Sequence, residues 1–133
     1  MPHILTIPGT LPGLNEYIAA ERGGGGKYRT AAMKRDVEQL IGLCARSQLR
    51  GVQFSAPVTM YYTWHEPNRR RDKDNIAFAR KFIQDALVGA GVLQGDGWQH
   101  IEGFTDTFTV DPSNPRICVI ITNKTKSESE ATT

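Results

Sequence analysis

From Val58 to His65 the side chains alternate strictly: Val58, Met60, Tyr62 and Trp64 share one parity, and Thr59, Tyr61, Thr63 and His65 the other. A period of two marks a strand with one buried face. The pattern predicts a strand that opens at Pro57 and runs directly into the charged segment beyond His65. A different period governs the stretch before it, where Met33, Val37, Leu40, Ile41 and Cys44 recur at helical spacing. With Thr30 as N-cap this predicts a first helix ending near Gln48. The same spacing returns in Ile76, Ala79, Phe82, Ile83, Ala86 and Leu87, predicting a second helix from Asp72 or Asp74 to a stop at Gly89 to Gly91.

Weaker patterns complete the outline. His3 to Pro8 reads as a short first strand, and Gly9 to Arg29 as loop. Trp98 to Val110 reads as extended, with its alternation broken around Gly103. Asp111-Pro112-Ser113-Asn114-Pro115 is a turn leading into a last strand from Arg116 to Thr122, and these two strands are expected to pair as a hairpin. The order β, loop, α, β, α, β, β predicts an α+β fold, a mixed sheet of about four strands with two main helices packed on one face.

Length then fixes the number of domains. A chain of 133 residues is expected to form one domain over 1–122, followed by a flexible polar tail over 123–133. Cys44 and Cys118 stand far apart with no metal-ligand spacing, which suits a reducing compartment. The start Met1-Pro2-His3-Ile4-Leu5-Thr6 carries no basic leader or apolar core, and no apolar run approaches the length of a membrane span. A cytoplasmic protein with no membrane partner is expected. The net charge of +2 says little about nucleic acid, but its distribution is uneven. Arg69, Arg70, Arg71, Lys73, Arg80 and Lys81 face only Asp72 and Asp74 within the same short segment.

That segment carries the candidate chemistry. Asp72 and Asp74 offer hard oxygen ligands for Mg²⁺, which takes one or two protein carboxylates together with substrate phosphate oxygens. The neighbouring arginines offer forked donors that match phosphate. On one continuous helix, Lys81 and Asp85 would share a face with Asp74. A third acid, Asp96, lies between Gly95 and Gly97 just before the next extended segment. Three aspartates from two loops around a lysine suit phosphodiester hydrolysis, in which a metal neutralises charge and activates water while a cation stabilises the developing charge. Gly23 to Gly26 lacks the pattern of a P-loop and reads as a flexible surface loop, whose neighbours Arg22, Lys27 and Arg29 could touch phosphate. An EF-hand starting at Asp72 fails at Ile76, Ala77 and Ile83. A nucleotide-sugar DxD site is disfavoured because no nucleotide-binding βαβ unit is recognisable.

These residues resemble RusA-type Holliday-junction resolvases, including phage and prophage versions. The likeness runs from about Ile4 to Thr122 and is most specific at Arg71-Asp72-Lys73-Asp74-Asn75, Lys81, Asp85-Ala86-Leu87, Gly91 and Asp96. Leu11-Pro12-Gly13-Leu14-Asn15-Glu16-Tyr17 is similar to the family's N-terminal pattern. The resemblance implies an α/β homodimer that uses Mg²⁺, with Mn²⁺ as a substitute, and cuts four-way DNA junctions by paired nicks in recombination and repair. It implies metal-binding and catalytic roles for Asp72, Asp74 and Asp96, and an essential role for Lys81. Two departures stand out. The interval from Asp74 to Lys81 is three residues longer than the family pattern, and an acid expected before Asp96 is Gly95.

The sequence thus predicts a Mg²⁺-dependent, structure-selective endodeoxyribonuclease acting on branched DNA as a homodimer. Asp72, Asp74 and Asp96 would bind metal, with Lys81 assisting. Arg69, Arg70, Arg71 and Lys73, with Lys27 and Arg29, would bind the DNA backbone. Two alternatives remain: a non-catalytic DNA-binding module, and a metal nuclease for other branched or single-stranded DNA.

Overall fold

The alternation after Pro57 builds the centre of the sheet. In the computed structural model, in which residues 2–123 are described, β2 (Val58–Glu66) buries Val58, Met60, Tyr62, Trp64 and Glu66 and leaves the intervening side chains partly or largely open. β1 (His3–Pro8) and β4 (Arg116–Asn123) repeat the pattern, burying Leu5 and Ile7, and Ile117, Val119 and Ile121. Helix α2 (Gly26–Gln48) contributes Val37, Ile41 and Ala45 to the same core, and α4 (Arg80–Gly89) contributes Phe82, Ile83, Ala86 and Leu87. One hydrophobic cluster therefore joins the sheet to its helices in a single α+β domain. Asn123 belongs to β4, and the remainder of the expected tail, 124–133, lies outside the described residues. Among the described residues no helix is long and apolar enough to cross a membrane.

The strand order is β1-β4-β2-β3, with β3 spanning Ile101–Val110. β3 and β4 flank β2 and do not form the expected hairpin. β3 pairs with β2 in parallel and β4 pairs with β2 antiparallel. The Asp111 to Pro115 turn instead passes over the end of β2, where the Asp111 N–H donates to the Glu66 carbonyl at 2.8 Å. Spanning two inter-strand spacings, roughly 9.5 Å, needs a longer link than a two-residue hairpin turn. The parallel β2–β3 pair also requires a helical crossover, which the segment between them supplies. A βαβ connection is thus present although the sequence does not announce one.

The stretch from Gly9 to Arg29 is not all loop. Leu14–Arg22 forms α1, and α2 begins at Gly26, four residues before the expected start at Thr30. The glycine run is a tight turn between two helices. Gly25 has φ +72°, and a Cβ at Gly26 would lie 2.0 Å from the Glu21 carbonyl oxygen. Only glycine fits so close an approach.

The second helix is divided. α3 (Lys73–Ala77) and α4 are separated at Phe78 and Ala79, where the Ala79 N–H donates to Ile76 and that of Lys81 to Phe78. These three-residue bonds wind the chain more tightly than an α-helix. The continuous helical face expected for Asp74 and Lys81 is therefore interrupted, whereas Lys81 and Asp85 keep their four-residue relation within α4.

Candidate active site

Arg71 is the anchor of the β2–α3 junction. Its Nε and Nη2 donate to the two carboxylate oxygens of Glu66 at 3.1 and 3.0 Å, and Nη1 donates to the Leu11 carbonyl at 2.9 Å and to Glu16 at 3.1 Å. Glu66 is 5 % exposed, so its charge is compensated inside the fold. Burial works against the Arg71 charge, but the hydrogen bonds and field of Glu66 and Glu16 outweigh it and raise the guanidinium pKa. Next in line, buried Asn75 accepts the Asn15 N–H on its side-chain oxygen at 2.8 Å. A Cβ at Gly13 would lie 2.4 Å from the Asn75 carbonyl oxygen, which explains the glycine. The two segments that carried the family likeness, 11–17 and 71–75, therefore lock together.

This lock presents Asp72 and Asp74 outward. Both are exposed, Asp72 as the residue before α3 and Asp74 in its first turn. They line a cavity of about 690 Å³ with Glu66, Arg69, Lys73 and Phe108. Among the described residues neither aspartate forms a salt bridge, although Asp74 Oδ1 accepts the Asn75 N–H at 3.0 Å. Arg69, Arg70 and Lys73 are exposed around the junction, and the Lys73 ammonium stands 5.7 Å from the centre of the Phe108 ring. Lys27 and Arg29 are exposed in the first turn of α2.

Lys81 and Asp96 form a second group. Lys81 Nζ lies 2.8 Å from Asp96 and 3.2 Å from Asp85, and Asp85 also pairs with Lys34 at 3.4 Å. The hydrogen bond that Lys81 donates to Asp96, followed by the one it donates to Asp85, raises the Lys81 pKa; Lys81 in turn lowers that of Asp96. Asp96 and Lys81 are not among the residues lining the Asp72–Asp74 cavity. Among the described residues no three His, Cys, Asp or Glu side chains are grouped so as to hold a metal ion. The donor pair Asp72 and Asp74 still fits Mg²⁺, which uses one or two protein carboxylates and keeps several waters. A Cβ at position 95 would lie 2.6 Å from the His100 ring, so a larger residue there requires that ring to move.

Two further residues complete the neighbourhood. Asp106, whose facing the broken alternation of β3 hides, accepts the Trp64 indole N–H at 2.9 Å and pairs with Arg80. Arg80 in turn stands 4.3 Å from the centre of the Phe104 ring. Glu66 could have been suspected from the alternation of β2, because it continues the buried parity of Trp64. Compared with protein-family models and with curated proteins, the chain matches none.

Proposed function

We propose that this chain is a Mg²⁺-dependent endodeoxyribonuclease that resolves four-way DNA junctions as a homodimer. The observation that carries the reading is the pair of exposed carboxylates, Asp72 and Asp74, at a rigidly held strand-to-helix junction and in one cavity with Arg69 and Lys73. The likeness of 71–75, Lys81 and Asp96 to RusA-type resolvases supports it.

Asp72 and Asp74 would hold Mg²⁺, with Mn²⁺ as a substitute, and the resemblance assigns the same role to Asp96, which pairs with Lys81 outside their cavity. Bound metal supplies charge neutralisation on the phosphate and activation of water. Arg69, Arg70 and Lys73 grip the phosphodiester backbone, giving salt-sensitive affinity with little sequence preference. Arg71 leaves that group and acts as the clamp that sets the direction of the two aspartates. Lys81 steadies the phosphate or the attacking water. Paired cuts in a symmetric junction need two sites related by a two-fold axis, which a homodimer provides. An apolar row on the sheet face opposite the core supports self-association: Ile4, Ile120 and Tyr61 are neighbours in register across β1, β4 and β2. Ile4 and Tyr61 are 56 % and 43 % exposed.

The test is cleavage of a synthetic four-way junction by the wild type and by Asp74→Asn, with flaps, forks and single strands at equal concentration. A junction resolvase cuts the junction in preference, and the variant loses cleavage while keeping junction binding. No Mg²⁺-dependent cleavage by either form identifies a binding module. Preferential cutting of another substrate identifies a nuclease of different selectivity.

A further inference from the structure

The two edges of the sheet are finished differently. At the β1 edge the Gln48 side-chain amide acts as a substitute strand: its oxygen accepts the Thr6 N–H at 2.6 Å and its nitrogen donates to the Thr6 carbonyl at 2.8 Å. Pro8 ends that strand and has no N–H to offer. Covering groups and prolines are common ways of closing an edge to other strands. The β3 edge has neither. It is ten residues long, contains no proline and meets only β2. Outside that ladder, no backbone N–H or carbonyl from Gly103 to Val110 has a hydrogen-bond partner among the described residues. About half of the main-chain groups of such a strand point away from its one neighbour and stay open to pairing.

The side chains of β3 indicate what pairs there. Thr105, Thr107 and Thr109 are exposed on one parity, in register with Tyr61, Thr63 and His65 of β2. On the other parity Phe104 and Val110 are 45 % and 39 % exposed. β3 carries no lysine or arginine to deter a neighbouring strand or to hold phosphate, and the Asp106 carboxylate is taken up by Arg80 and the Trp64 indole. Turned antiparallel about a two-fold axis at Thr107, a second β3 sets Thr107 against its own copy, Thr105 against Thr109 and Phe104 against Val110. The edge is therefore self-complementary. Paired over Phe104 to Val110, the two strands share about seven main-chain hydrogen bonds, within the range of a specific interface. The open face of the sheet is the competing surface for a second copy, but its apolar row is confined to Ile4, Ile120 and Tyr61 and has no main-chain groups to offer.

We infer that β3 is the dimer interface of this chain, pairing antiparallel with β3 of a second copy so that two four-stranded sheets become one. This rests on the homodimer reading above and deepens it by naming the surface. Phe108, Thr109 and Val110 also line the Asp72–Asp74 cavity, so the joined strands connect the two sites. A two-fold axis perpendicular to the sheet keeps both cavities on one side of it, with the two Val110 residues roughly 20 Å apart along the strands. Two sites facing the same way suit paired cuts in one branched substrate.

Light scattering and sedimentation of the full-length chain across the micromolar range read the association directly. The wild type should be a dimer, and Thr105→Lys combined with Thr107→Lys should weaken self-association about tenfold or more by setting like charges against each other. Tyr61→Lys, on the open face, should remain a dimer. Urea denaturation checks that the β3 variant is folded. Amide hydrogen exchange needs no variant and decides the matter if that one fails to fold: β3 should exchange faster as the wild type is diluted, while β1 stays unchanged. A wild type that is monomeric throughout overturns the inference and leaves the edge to an extended peptide of another protein. A folded β3 variant that stays dimeric, or β3 exchange that does not depend on concentration, overturns it as well and leaves the nuclease reading intact. Dissociation of the β3 variant together with no junction cleavage by the wild type removes the nuclease reading and leaves the interface standing.

Discussion

Arg71 and Glu66 meet at two points, through contacts of 3.1 and 3.0 Å, and the same guanidinium reaches Leu11 and Glu16. One side chain thereby fastens the end of β2 to the chain entering α1. A planar fork suits this task, because lysine could satisfy only part of the set. The residue that follows is Asp72, so the clamp also determines where the proposed metal ligands stand.

Replacing Arg71 with Ala is expected to destabilise the fold by about 3 kcal/mol, since it leaves the Glu66 carboxylate buried and uncompensated. Urea denaturation measures the loss. Arg71→Lys should recover part of it by restoring the charge. If both variants instead keep wild-type stability but lose DNA affinity, Arg71 is a backbone contact and not a clamp.

Gly13→Ala tests the lock between the two segments. Its Cβ would sit 2.4 and 2.6 Å from the Asn75 carbonyl and side-chain oxygens, the first of which belongs to the backbone. A loss of about 1–3 kcal/mol is expected. Gly24→Ala is the control, with nothing within 4 Å of the added atom, and should change stability by less than about 0.5 kcal/mol. Equal midpoints for the two variants would remove the steric account.

What the sequence disclosed was mainly local. The alternation of β2 and the apolar spacing of α2 and α4 appear as expected because burial on one face imposes them. α1 has a usable signal in Leu14, Tyr17 and Ile18, but Pro12 and the flanking glycines conceal it, and Gly13 offers no side-chain cap. The insertion of β2 between β3 and β4 depends on long-range pairing, which a short turn between neighbours in sequence does not reveal. The break at Phe78 and Ala79 has neither proline nor glycine to announce it. Arg71 looks like its neighbours in sequence, and only the fold brings Glu16 to it across 55 positions. The positions of Asp72 and Asp74 at a strand-to-helix junction were legible. The attachment of Asp96 to Lys81 was not, because it joins separate loop and helix segments.

The turn over the end of β2 should respond to acid. Arg116 holds Asp111 at 2.9 Å, and its hydrogen bond, followed by that of Ser113, lowers the Asp111 pKa below the usual 3.8. A depressed folded-state pKa makes the contribution of this contact fully present above the unfolded value and lost as pH falls through the folded one. The loss therefore belongs below about pH 3.8. Carboxyl carbon NMR should find Asp111 titrating low in the wild type and closer to 3.8 in Arg116→Met. An unchanged midpoint would refute the assignment to Arg116.

Lys81 separates a catalytic role from an ordinary surface pair. Its side chain is 62 % exposed, and exposed ion pairs contribute little to stability, so Lys81→Gln should unfold within about 1 kcal/mol of wild type. The effect on chemistry is expected to be larger. Removing one preorganised stabiliser of transition-state charge costs about a hundredfold or more in rate, so single-turnover cleavage of a four-way junction should fall by that factor. Junction affinity measured without divalent metal should stay within about threefold, because the contact with Asp96 and Asp85 keeps Lys81 paired before substrate arrives. Carboxyl NMR gives an independent check, with Asp96 moving up toward its usual 3.8 once the lysine is gone. Cleavage at the wild-type rate together with that shift would reduce Lys81 to a partner of Asp96 and leave the proposed chemistry to the aspartates alone.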